Sequence, residues 1–145
     1  MRENWPGDVA RRRIGEFLKR WGPAVAWMGL IFFISAQSRL PHVEESWLDL
    51  LIKKGGHMAG YAVLAGLLWR AINGRRGTRT ALLALALSLA YAAGDEYHQT
   101  FVSGRNGTAA DVVIDGIGAL LAVLILWNRA SGRRILTKTP KYDTK

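Results

Sequence analysis

Four apolar runs divide the chain: Trp21 to Ala36, Gly55 to Trp69, Ala81 to Ala93 and Gly116 to Trp127. Each is shorter than the roughly 20 apolar residues that an α-helix needs to cross about 30 Å of hydrocarbon. Spanning length is reached only when the polar residues at their ends are included. The pattern therefore predicts an all-α fold, an integral-membrane four-helix bundle with a polar funnel at the extracytoplasmic helix ends. Helix one is expected from about Gly22 to Gln37, with Pro23 in its first turn, where a missing N–H matters least, and Leu40-Pro41 ending it. Before it, Asp8 to Lys19 sets Val9, Ile14, Phe17 and Leu18 among arginines, as in a helix that lies on a membrane surface. Residues 42–53 read as a connection with a short helical stretch, because Trp47, Leu48, Leu51 and Ile52 have helical spacing. Gly74-Arg75-Arg76-Gly77 and Ser103-Gly104-Arg105-Asn106-Gly107 read as turns, and the Thr108 hydroxyl can cap helix four. Three regions result: a basic segment 1–20, a four-helix domain 21–130 and a basic, disordered tail 131–145.

Charge orients these helices. The formal net charge is +9 although half the residues are hydrophobic, and the charge is blocked between the apolar runs. Residues 1–20 carry six basic and three acidic groups, residues 70–79 four arginines and no acid, and residues 128–145 six basic groups against Asp143. Residues 37–54 balance three against three, and residues 95–115 set Arg105 against Asp95, Glu96, Asp111 and Asp115. Basic connections alternate with neutral or acidic ones, which predicts a multi-pass protein with both termini in the cytoplasm. Trp21, Trp69 and Trp127 fall beside Arg20, Arg70 and Arg129 at the predicted cytoplasmic edge, an independent interfacial signal. With that role assigned, the basic tail gives no reason to expect nucleic acid as a partner. Ile34-Ser35-Ala36 lacks a small-x-small cleavage pattern, which argues against a cleaved signal peptide. The absence of cysteine excludes disulfides and thiolate chemistry.

The topology gathers the polar residues. Helix one ends with Ser35, Gln37 and Ser38, helix two starts with Lys54 and His57, helix three ends with Asp95, Glu96 and Gln99, and helix four starts with Asp111 and Asp115. Lys54, His57 and Tyr61 share one helix face, as do Glu96 and Gln99, and Asp111, Asp115 and Gly118; Gly118 permits a close helix approach. Ionisable groups at that depth point to a site. Lys54 and Arg105, two outward helix N-termini and the glycines Gly55, Gly56, Gly104 and Gly107 would suit a lipid phosphate. His57 is then a candidate nucleophile or general base, with Glu96 or Asp111 as its proton partner. Asp95, Glu96, Asp111 and Asp115 could also hold a hard divalent cation through oxygen, although their spacing matches no metal motif.

Each of these residues also has a plain structural reading. His57 and Lys54 can be an interfacial polar cap, Asp95 and Glu96 a solvated helix end, and Asp111 and Asp115 favourable charges at a helix N-terminus, worth about 0.3–1 kcal/mol. Arg105 can simply pair with one of the acids. His42 and His98 read as bystanders, and Asn106-Gly107-Thr108 matches a glycosylation sequon without further support.

Ser35-x-Gln37, Lys54-x-x-His57-x-x-x-Tyr61, Asp95-Glu96-x-x-Gln99-x-Phe101-x-x-Gly104-Arg105 and Asp111-x-x-x-Asp115-x-x-Gly118 stand in order across about residues 30–125. Together they resemble the signature of the VanZ-like membrane proteins. The sequence departs from that pattern at Gly60, where glutamate is frequent, Ser103, where proline is frequent, and Asp115, where asparagine is usual. The resemblance implies a bacterial inner-membrane protein of the family named for teicoplanin resistance. It also implies remote similarity to enzymes that handle phospholipid headgroups and lipid-linked cell-wall precursors.

The expected function is hydrolysis or transfer of a phosphate-containing headgroup, or of a lipid-linked envelope precursor, at the outer leaflet. That would make the protein a lipid phosphoesterase or headgroup transferase. The expected catalytic residues are His57, Glu96 and Asp111, and the expected substrate-binding residues Gln37, Lys54, Tyr61, Asp95, Gln99, Arg105 and Asp115. A non-catalytic binder of the same lipid and a small proton-coupled transporter are the alternatives.

Overall fold

The computed structural model describes residues 6–37, 47–72, 77–105 and 107–132. They form four α-helices: α1 (Pro6–Ser35), α2 (Trp47–Ile72), α3 (Thr78–Gln99) and α4 (Ala109–Gly132). His42, Asn106, the Leu40-Pro41 stop, the Arg75-Arg76 turn and most of the C-terminal tail lie outside the described residues. At 1.5 Å per residue the helices run from about 33 Å for α3 to about 45 Å for α1, so each exceeds the roughly 30 Å of a hydrocarbon layer. Gly7–Ser35 and Ala109–Ala130 are also apolar enough to cross it. α2 and α3 carry the lysines, histidine and acids of the polar end inside their length, which lowers their hydropathy.

Two boundaries differ from the sequence reading. The surface segment 8–19 and helix one form the single helix α1, which passes through Pro23 without ending. A proline in a helix interior leaves the carbonyl four residues earlier without its donor. Here that carbonyl belongs to Lys19, and it accepts a hydrogen bond from Nη2 of Arg70 at 3.2 Å. A partner from α2 thus supplies what the ring removes. The second difference is at α2, which begins at Trp47, so the short helical stretch expected in the connection is its first two turns. Lys54 and His57 therefore sit well inside α2, and His57 is about 15 Å along the axis from its start.

Packing explains why the bundle holds. α2, α3 and α4 contact one another extensively, whereas α1 leans on α2, touches α3 lightly and does not reach α4 among the described residues. Small residues fill the interface: Ala65, Ala84, Ser88, Ala92 and Ala119 are buried around Tyr61 and Leu64. Large apolar side chains point outward instead, among them Phe33, Val63, Leu82, Val113 and Ile125. An interior of small residues with bulky apolar groups outside fits helices surrounded by lipid, where close backbone contact rather than water exclusion drives association. At Gly118 the approach is so close that a Cβ would collide with the main-chain carbonyl of Met58 on α2.

Polar bonds fasten the loosely packed α1. Nε1 of Trp27 donates to the Gly60 carbonyl at 2.9 Å, and the Tyr91 hydroxyl donates to the Met28 carbonyl at 2.6 Å. These carbonyls lie within helices and accept through a second lone pair.

Candidate functional site

The antiparallel order of the helices brings the C-termini of α1 and α3 level with the first half of α2 and the start of α4. Asp95, Glu96 and Gln99 close α3 from buried positions, because their stretch of the helix turns toward α1, α2 and α4. Ser35, the last residue of α1, donates its hydroxyl to Oδ2 of Asp95 at 2.8 Å. Gln99 donates from Nε2 to Oδ2 of Asp95 at 3.1 Å and to Oε1 of Glu96 at 3.3 Å. One amide thus orients two adjacent carboxylates. Oε2 of Glu96 accepts the Thr108 backbone N–H at 3.0 Å, so the start of α4 directs its dipole at a carboxylate of the protein itself.

Thr108 caps α4, its hydroxyl accepting the Asp111 N–H at 3.2 Å while donating to Oδ2 of Asp111 at 2.7 Å. The other oxygen of Asp111 pairs with Nζ of Lys54 at 2.9 Å. One turn further along α4, Asp115 is fully buried, and neither of its oxygens has a hydrogen-bond partner among the described residues. Nδ1 of His57 lies 3.5 Å from its Oδ1. His57, Glu96 and Asp115 each offer a nitrogen or oxygen within 4.8 Å of those of the other two.

The structure gathers nearly every candidate of the sequence reading at this end, but it gives some of them other tasks. Arg105 follows Gly104, whose φ of 79° lies in the left-handed region that glycine adopts without strain. That turn aims the guanidinium back at the end of α1, where it donates to the carbonyls of Ile34 and Gln37 at 3.1 and 3.3 Å. A third bond, at 3.4 Å, reaches Oε1 of Gln99. The side chain therefore caps α1. Gln37 is exposed and takes part through its main chain, its own amide returning to the Phe33 carbonyl. Tyr61 is buried, and its hydroxyl has no hydrogen-bond partner among the described residues. His98 packs against Phe32 with ring centroids 4.3 Å apart and the rings tilted, outside the cluster.

The sequence reading placed anion-binding N–H groups of two helices in the funnel, and the structure shows those of α2 elsewhere and the cap N–H before α4 already engaged. The free N–H groups of α2 belong to its first turn, far from His57, and the Thr108 N–H at the start of α4 is taken by Glu96. Ser35 and Thr108 are the site residues that sequence reasoning missed. Ser35 stood in the motif and Thr108 was assigned only a cap; the bonds from them to Asp95 and Glu96 join residues distant in sequence, so spacing along one helix could not show them.

A cavity of about 680 Å³ opens between α1 and α2 at this end. Leu30, Ile34 and Val63 form an apolar wall, while His57, Glu96 and Asp111 bring polar groups to it. Asp115 is buried behind His57 and Glu96 and does not line it.

The VanZ/LLP1 family model matches residues 20–130, which take in α1 from Arg20 onward, α2, α3, nearly all of α4 and the whole cluster. The chain belongs to the VanZ-like family. No curated protein and no solved structure matches it. Membership, together with the apolar helices and their outward bulky side chains, identifies a membrane protein of that family. The family match extends from the end of the basic segment through nearly all of α4, so the polar cluster lies well inside the matched region.

Proposed function

We propose that this VanZ-like protein acts at the outer leaflet of the bacterial inner membrane, on a phosphate-containing lipid headgroup or a lipid-linked envelope precursor. The observation that carries the reading is the cavity between α1 and α2, apolar along Leu30, Ile34 and Val63 and polar at His57, Glu96 and Asp111. Its volume falls in the roughly 300–1,000 Å³ range of small-molecule sites. An acyl or prenyl chain would lie against the apolar wall and enter from the membrane, leaving the headgroup at the cluster. Lys54 keeps 38% of its side chain exposed and could exchange Asp111 for a phosphate oxygen. In hydrolysis, a water oxygen bonds to phosphorus, a phosphorus–oxygen ester bond breaks, and the proton lost by the water is made up at the leaving oxygen. His57, Glu96 and Asp111 are the groups placed to relay it. Altering such a lipid or precursor would connect the protein with the glycopeptide response for which the family is named.

Purified protein reconstituted in vesicles should convert either a phospholipid or a prenyl-linked phosphate substrate to a product detectable by mass spectrometry. Saturable lipid binding without product would favour a non-catalytic binder, and proton-dependent flux across the vesicle wall would favour a transporter. No binding and no product with either lipid class would remove the reading.

The side of the membrane is tested separately. The alternation of charge puts the turn after α3 outside and the start of α3 in the cytoplasm. A cysteine replacing the exposed Ser103 should react with an impermeant thiol reagent in intact cells, while one replacing the exposed Thr78 should react only after lysis. The reverse pattern would invert the protein and put the cavity at the inner leaflet.

A further inference from the structure

His57, Glu96 and Asp115 come from α2, α3 and α4, and their ligand-capable atoms converge within 4.8 Å of one another. Around an ion with bonds near 2.1 Å, neighbouring ligand atoms stand about 3.0 Å apart in octahedral and about 3.4 Å apart in tetrahedral geometry. The separation of His57 Nδ1 and Asp115 Oδ1 is 3.5 Å. That is longer than the roughly 2.7–2.9 Å of a charge-assisted hydrogen bond, and close to the edge of a tetrahedral site.

Asp115 supplies an independent reason. It is fully buried, neither of its oxygens receives a hydrogen bond among the described residues, and His57 Nδ1 meets it only at the long ion-pair distance of 3.5 Å, although Asp95 and Glu96 nearby receive hydrogen bonds. An ionised carboxylate left that way costs roughly several kcal/mol, which a bound cation would offset. Glu96 shows the outer support common to metal ligands, since the Thr108 N–H and the Gln99 amide fix its orientation. Each of its oxygens retains a lone pair for a metal.

We propose that His57, Glu96 and Asp115 hold a first-row divalent cation, Mn²⁺ or Zn²⁺, whose remaining coordination positions face the cavity. An imidazole nitrogen beside two carboxylates favours these ions over Mg²⁺ and Ca²⁺, which take oxygen ligands. Two carboxylates, a neutral imidazole and a divalent cation sum to zero charge, which suits a buried setting. Asp115 forms the floor, and His57 and Glu96 stand at the cavity wall, so the open side of the ion meets whatever occupies the cavity. This deepens the lipid reading, and rests on it, only for the partner: a phosphate oxygen would complete the coordination. The ion supplies positive charge where Arg105 is committed to α1 and Lys54 is shared with Asp111. It also makes His57 a ligand rather than the group that takes the proton.

The test needs no lipid. Full-length protein in detergent is stripped with a chelator, titrated with Mn²⁺ and followed by electron paramagnetic resonance, with Zn²⁺ as competitor. The expected result is one tightly held ion per chain, with nitrogen coupling from a directly bound imidazole. Asp115→Asn, Glu96→Gln and His57→Ala should each weaken binding by tenfold or more, and His98→Ala should not. Circular dichroism checks the fold of each variant, and nitrogen coupling that persists in His98→Ala still reports a bound imidazole if the His57 variant fails to fold. No stoichiometric uptake of either ion, or uptake without nitrogen coupling, overturns the proposal. Lipid turnover that survives chelation would overturn the ion's role in the reaction while leaving the lipid reading intact. An ion bound with no lipid engagement would do the opposite.

Discussion

Replacing His57 with Gln, or Glu96 with Gln, should lower lipid turnover by about 10²–10⁴-fold, the range for losing a positioned proton-transfer group. Loss of a metal ligand predicts a reduction at least as large, because either change would also weaken the ion at the floor of the cavity. The double variant should be little worse than the single ones, since groups that act as a unit are strongly non-additive. His98→Ala should stay close to the unmodified rate: His98 packs on Phe32 and neither lines the cavity nor joins the cluster. Rates measured in vesicles, normalised to folded protein, decide the matter. Near-normal turnover by His57→Gln would remove His57 from the chemistry in either role.

A second large effect is expected at Gly118. A Cβ there would run into the Met58 carbonyl, and a backbone atom cannot swing aside as a side chain can. Gly118→Ala should therefore destabilise the protein by about 1–3 kcal/mol, with the upper end favoured, and Gly118→Leu should prevent assembly of α2 on α4. Two other glycines calibrate this. At Gly116 the added carbon meets only the Leu89 side-chain end at 2.7 Å, and at Gly66 it meets nothing within 4 Å. Gly116→Ala should cost less, and Gly66→Ala should be neutral or stabilising by up to about 1 kcal/mol through helix propensity. Thermal unfolding in detergent ranks the three. An unchanged midpoint for Gly118→Ala would mean that α2 and α4 are not in such close contact. The same displacement would part His57 from Asp115, because Met58 follows His57 and Gly118 lies one turn beyond Asp115. Gly118→Ala should thus lose ion affinity together with stability.

The cluster was legible wherever residues share one helix face. Lys54, His57 and Tyr61 all line the cavity, as their spacing along α2 implies, and Asp111 and Asp115 lie one turn apart on α4. It was illegible where side chains choose among equivalent partners. Nothing in the spacing shows that Arg105 caps α1 rather than meeting an acid, or that Glu96 takes the Thr108 N–H. Those choices depend on distances between helices, which a linear pattern does not contain.

The sequence by itself determined four helices, their antiparallel order and the gathering of polar residues at one end, because apolar run length and helical periodicity are local properties. The small residues that allow close packing are legible too, as at Gly118. Only the tertiary structure decided that α1 continues through Pro23, because the bond that compensates the proline comes from Arg70 on another helix. Only it could leave Asp115 buried without a hydrogen bond among the described residues, beside His57 and Glu96. Burial and partner choice are decided by three helices meeting, and no segment of the chain carries that information alone.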